Sequence, residues 1–191
     1  GNTVGTWLAN GVYALYQAVP ALAVMVIGIT TPLMVFFGMN NATYPVVFAL
    51  MAAVNSDPLI CTGMAPANVA VGGACLAASL LSKNVEEKSV SVSAGITALC
   101  GITEPVIYTV ALTNFKRFIC AFVGGGVAGV IGGILGIKFY TWGGDGIFRI
   151  PSMINPAGLD ISFWGFLICA AIAFVVSAIG SYAVTSADEK A

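Results

Sequence analysis

Residues 88–117 read KSVSVSAGITALCGITEPVIYTVALTNFKR. Cations close both ends, Lys83 and Lys88 before and Lys116 and Arg117 after. Between them residues 90–113 are apolar, but Gly101-Ile102-Thr103-Glu104-Pro105 cuts the run in two. Each half is about 11 residues, whereas a helix needs about 20 to cross a bilayer. Loops rich in Lys and Arg stay on the cytoplasmic side, so both flanks are expected there. A segment that enters and leaves on one side is a re-entrant hairpin. Backbone that leaves the helix at membrane depth survives only where protein buries it or where it lines a wet cavity. The tip at 101–105 is therefore expected to mark a water-accessible site inside the protein.

Composition sets the solvent. Of 191 residues, 59% are hydrophobic and 8% charged, against about 25% charged in an ordinary soluble domain. The mean hydropathy is +0.97. Too few polar side chains exist to cover a core in water, so the bilayer is the expected partner surface. The formal net charge is −1 with no basic stripe, which argues against nucleic acid. The sequence holds no His, so imidazole bases and His metal sites are excluded. Cys61, Cys75, Cys100, Cys120 and Cys169 all lie in apolar surroundings without CxxC spacing, and read as small buried hydrophobes. No metal site and no cofactor are expected.

Working outward, residues 118–137 form an apolar run with Gly124-Gly125-Gly126, Gly129 and Gly132-Gly133. Twenty residues at about 1.5 Å each span a ~30 Å hydrocarbon core. The glycines suit close helix–helix approach. Residues 161–184 form a second span, which places the C-terminus in the cytoplasm. Residues 139–160 are expected as an external loop, in which Asp145 and Arg149 pair structurally. Upstream, apolar stretches cover 5–28, 33–54 and 64–82, with an interruption at Thr30-Thr31-Pro32 and a turn at Asn55-Ser56-Asp57-Pro58. Asp57 is expected to be solvated or to cap a helix, and 55–60 is expected near the outer side as a second short hairpin. The fold class is an all-α membrane protein, a transmembrane helix bundle with one or two re-entrant hairpins.

Glu104 is the only acidic residue between Lys88 and Arg117. An ionisable group at membrane depth costs about 2.5–3.5 kcal/mol on insertion scales and usually has a function. Thr103 adds a hydroxyl, and Pro105 biases Glu104 away from helical geometry. A carboxylate accepts several hydrogen bonds, which suits the hydroxyls of a sugar. A divalent cation would want more oxygen ligands. The competing reading pairs Glu104 with Lys116 or Arg117. Asn40-Asn41 forms a second polar cluster, suited either to sugar hydroxyls or to bridging helices. Asn68 is a weaker third, with helix packing as its default.

Gly101-Ile102-Thr103-Glu104-Pro105, then Val106-Ile107-Tyr108 and Lys116-Arg117-Phe118, resembles the signature of a known family. It is that of the membrane component (IIC) of bacterial phosphoenolpyruvate-dependent sugar phosphotransferase systems. The similarity is to the glucose superfamily, in its beta-glucoside, sucrose and trehalose-type branch. The glycine-rich run after 123 and the Gly-Met-x-x motif at Gly38 fit as well, so the resemblance covers essentially the whole chain. It implies a sugar permease whose C-terminal half is a mobile transport domain with two re-entrant hairpins. The family's sugar-binding Glu falls on Glu104, and the expected sugar-binding set is Glu104, Thr103, Asn40, Asn41, Gly101, Ile102 and Asn68. Asn40 stands where the family often carries His, which removes a titratable group.

The resemblance also implies partners. These are a sugar, a IIB phosphoryl-donor domain, the N-terminal IIC half, the lipid bilayer and a second copy in a homodimer at the bacterial inner membrane. A full IIC component is longer, so residues 1–191 are expected to be its C-terminal, sugar-binding part. No residue qualifies as catalytic or as a phosphate carrier. Two other readings stay open at this stage, an ion-coupled secondary transporter and a non-transporting membrane scaffold.

Overall fold

The computed structural model describes residues 11, 13–82, 84–111 and 114–188. The start of the first apolar stretch with Trp7, the flanking Lys83, residues 112–113 and the tail from 189 lie outside these. Among the described residues from Pro20 on, six helices form the bundle: α1 (Pro20–Phe36), α2 (Tyr44–Val54), α3 (Ile60–Leu81), α4 (Val85–Leu99), α5 (Phe115–Leu135) and α6 (Ile161–Asp188). Short turns of 3-10 helix cover Asn40–Thr43 and Gly146–Met153. A single α turn, Glu104–Val106, continues into a π-helical turn over Ile107–Ala111. Three helices, α3, α5 and α6, are long and apolar enough to cross a membrane. Helix α3 packs against α1, α4, α5 and α6, so most of its surface is enclosed, whereas α6 turns most of its surface outward.

The upstream boundaries differ from the sequence expectation. The stretch 5–28 is not one helix: Val19 is extended ahead of Pro20, which starts α1, as pre-proline sterics favour. Conversely, Thr30-Thr31-Pro32 does not interrupt, and α1 runs through it to Phe36. The two threonines fold their hydroxyls back, Thr30 Oγ1 to Val26 O and Thr31 Oγ1 to Ile27 O, each at 2.7 Å. Pro32 has no N–H, so the Gly28 carbonyl loses its helical donor. That carbonyl faces Gly125 of α5, where a Cβ would stand 2.5 Å from the oxygen. With glycine there, a Cα–H points at the carbonyl instead, a weak hydrogen bond that eases the loss. The glycines of α5 do pack helices closely: Gly125, Gly129 and Gly133 face α1, and Gly124 faces α6.

Helix α3 starts four residues earlier than expected because Asp57 caps it. The Asp57 carboxylate accepts from the backbone N–H of Leu59, Ile60 and Cys61 at 2.7–2.9 Å. Asp57 is fully buried rather than solvated. Its backbone exchanges two hydrogen bonds with Phe139 beyond the end of α5. Thr62 Oγ1 donates to Ile137 O at 3.1 Å, so the start of α3 and the end of α5 share one end of the bundle.

The opposite end gathers the flanks of the central segment. Ser82, Asn84, Glu87, Arg117 and Thr185 line one crevice there. Residues 85–111 therefore leave this end and return to it. Helix α4 climbs antiparallel along α3. Cys75 Sγ meets Ser91 O at 3.1 Å, Leu76 crowds Gly95, and Gly72 crowds Leu99. One turn further along this register, Asn68 comes level with residues 101–103. Its neighbour Ala67 packs on Gly125, the middle of α5. The tip of the hairpin thus stops halfway through the bundle.

Candidate functional site

Two glycines end the two helices that lead into the polar motifs. Gly38 has φ +69 and Gly101 φ +96, a region that costs other residues a Cβ clash. After α1, Gly38 N–H donates to Val35 O and Met39 N–H to Met34 O. After α4, Gly101 N–H donates to Ala98 O and Ile102 N–H to Thr97 O. Both are Schellman caps, which use up the helix's last carbonyls and turn the chain sharply. In each case new helical structure restarts two or three residues later, at Asn40 and at Glu104. The Gly-Met-Asn-Asn and Gly-Ile-Thr-Glu motifs are therefore the same device, a broken helix with polar residues at the restart.

At the second break, Thr103 is buried while Ile102 and Glu104 are exposed. Glu104 is itself helical, contrary to the bias expected from Pro105. Pro105 is the second residue of the new turn, a position where its missing N–H costs nothing. The break falls instead on 101–103. No cation among the described residues forms a salt bridge with Glu104, so the expected competing pair with Lys116 or Arg117 is not seen. At the first break, Asn40 is half-buried and Asn41 exposed. The Asn40 Oδ1 is buried without a hydrogen-bond partner, a state that usually has a reason. Thr43 Oγ1 holds this turn by donating to Asn40 O at 2.9 Å.

The two breaks are linked through the segment after α5: Trp142 packs on Tyr44 beside the first, and Asp145 abuts Gly101 at the second. Asn68 is buried in α3, on the face whose Val71 and Cys75 pack with Val106. Every expected site residue thus lies at one of the two breaks or level with the second.

The loop between α5 and α6, expected on the outer side, does not stay clear of the bundle: it packs back onto the tip. A Cβ at Gly101 would overlap Asp145, and one at Gly146 would overlap the Leu99 carbonyl. Asp145 forms a salt bridge with Arg149, which is only 2% exposed. Arg149 Nε donates to Gly144 O at 2.8 Å. Its guanidinium lies over Phe139 and Trp142, 5.8 and 5.5 Å from the ring centres. Trp142 in turn packs on Tyr44 and Phe48, with centroids 4.8 and 5.0 Å apart. The loop therefore bridges the two breaks. The sequence signal was Gly143-Gly144-Asp145-Gly146, which reads as a turn and not as a contact surface.

Fold and sequence together define a membrane helix bundle with polar residues at two broken helices. The family described as Phosphotransferase system, EIIC, matches residues 1–126, and the chain belongs to that family. It is 35% identical to the PTS system beta-glucoside-specific EIIBCA component of Halalkalibacterium halodurans, over 86% of this chain and 27% of that protein. It is 32% identical to the sucrose-specific EIIBC component of Pasteurella multocida, over 94% of the chain and 38% of the relative. The trehalose-specific EIIBC component of Bacillus subtilis is 31% identical over 94% and 37%. The chain thus spans well under half the length of these relatives. No solved structure matches it.

Proposed function

We propose that this chain is the sugar-binding and translocating part of a phosphotransferase-system permease. One observation carries the reading. Glu104 is exposed and without a salt bridge among the described residues, at a hairpin tip halfway through a membrane bundle. A carboxylate at that depth needs water or a polar ligand to face. Thr103, Glu104, Asn40 and Asn41 offer donors and acceptors for sugar hydroxyls around it, with Gly101 and Ile102 shaping the tip and Asn68 level with it.

The sugar enters from the outer side, the two breaks hold it, and the bundle moves it toward the cytoplasm. A IIB domain then phosphorylates it, as the relatives whose names join EIIB to EIIC suggest. The protein sits in the bacterial inner membrane with a cytoplasmic C-terminus. It works with the N-terminal IIC half as a homodimer. The test is Glu104→Gln in the intact permease. Loss of one charged hydrogen bond, worth about 1.5–3 kcal/mol, lowers sugar affinity by roughly 10- to 150-fold. Unchanged affinity and sugar phosphorylation reject the reading. Uptake that persists without a phosphoryl donor but collapses with the proton gradient replaces it with ion-coupled transport.

A further inference from the structure

The Asp145–Arg149 pair belongs to neither motif, yet it lies against the tip, with Arg149 buried and Asp145 half-buried. Arg149 is the largest fully buried side chain of the described residues. Two of its nitrogens are engaged, Nε with Gly144 O and Nη2 with Asp145. Nη1 is buried without a partner. A guanidinium in that state is a poor contributor to stability. Replacing a buried ion pair by apolar groups is often neutral or stabilising. The sealed Nη1 also cannot touch a ligand. What the pair does hold is geometry: it fixes residues 144–149 as a compact turn whose Asp145 and Gly146 backbone rests on Leu99, Cys100 and Gly101. Three residues further along lies Glu104. The other side of the same guanidinium carries Trp142, which rests on Tyr44 beside the first break.

We propose that Asp145 and Arg149 are positioning residues of the sugar site: their pair clasps the loop to the hairpin tip and so sets where the Glu104 carboxylate stands relative to Asn40. This rests on the reading of Glu104 as a sugar ligand. Because Arg149 meets no sugar, its effect travels through the tip alone.

The test uses the intact permease in membranes and three variants. Asp145→Asn weakens the pair without removing volume. Arg149→Lys keeps the charge but loses the fork to Gly144. Gly146→Ala leaves both charged residues in place and wedges the loop away from Leu99. Sugar affinity, maximal uptake rate and thermal midpoint are measured for each. The expected result is at least a tenfold loss of affinity in all three, with maximal uptake changed less than threefold and the folded fraction retained. Combined with Glu104→Gln, Asp145→Asn adds less than threefold further loss, because both act on one interaction. A purely structural pair gives variants with lowered thermal midpoints and affinity within twofold of the parent, and that result overturns the proposal. If Glu104→Gln lowers affinity and the three variants do not, the clasp fails alone. If Glu104→Gln is itself without effect, the sugar-site reading fails first.

Discussion

Asn40 carries a cost in the folded chain. Its buried Oδ1 lacks a donor, and an unsatisfied buried acceptor costs about 1–3 kcal/mol. Asn40→Leu removes that group at similar volume. The variant is expected to raise the thermal midpoint, or leave it unchanged, while sugar affinity falls at least fivefold; a variant that loses stability and keeps affinity shows Asn40 to be packing glue. Asp160 works in the opposite sense. Burial pushes its carboxyl up, but hydrogen bonds from Tyr140, Asn155 and Ser162 outweigh this and hold the pKa at about 2. The bonds are Tyr140 Oη at 2.6 Å, Asn155 Nδ2 at 3.1 Å and Ser162 N at 2.9 Å. A depressed carboxyl gives its full stabilisation above the ordinary value of 3.8, and loses it as pH falls toward 2. The thermal midpoint of the solubilised protein should therefore drop across that window, and Asp160→Asn should flatten the drop.

At the scale of elements, the α1–α5 contact is the most sensitive to volume. Gly28 and Gly125 meet backbone to backbone, and the carbonyl that Pro32 frees points into that contact. Gly125→Leu forces the helices apart, at an expected cost of about 1–3 kcal/mol or more. Gly136→Ala, where a Cβ meets nothing within 4 Å but φ is +63, costs only backbone strain of about 1 kcal/mol. Thermal unfolding of both variants in one detergent should rank them in that order. This contrast shows what a sequence can reveal. The spans at α5 and α6 were legible to within a few residues because long apolar runs bounded by charge have one reading. The hairpin was legible because its halves are too short to cross and its flanks are both cationic. The passage of α1 through Pro32 was not legible, because the compensating glycine lies in a helix far along the chain. The inward loop was hidden for a similar reason: glycines that let a turn form and glycines that let two backbones touch look alike in sequence.

For the whole molecule, the decisive feature is that Ser82, Asn84, Glu87 and Arg117 share one end, while Asp57 and Phe139 share the other. Single cysteines at Lys88 and at Arg117, in a background without native thiols, are expected to react with an impermeant reagent from the same face of the membrane. A cysteine at Ala157 is expected to react from the opposite face. Labelling of 88 and 117 from different faces breaks the hairpin and with it the sugar site. The candidate residues were found by their polarity in apolar surroundings, which marks Glu104 and Asn40 alike. The link between their two breaks, through Tyr44, Trp142 and Asp145, depends on contacts between distant segments and needed the structure.

The hairpin tip rises from one face and the loop descends from the other until Gly101 lies on Asp145. On the proposed topology, that one backbone contact separates the water on the two sides along this line. Such a partition has no depth in reserve, so its tightness to protons and small ions depends on how flush those two backbones sit. On the same proposal, a bulky side chain at 101 or 146 would open a slow leak, and cells or vesicles making the permease would lose their ion gradients before they lost any sugar.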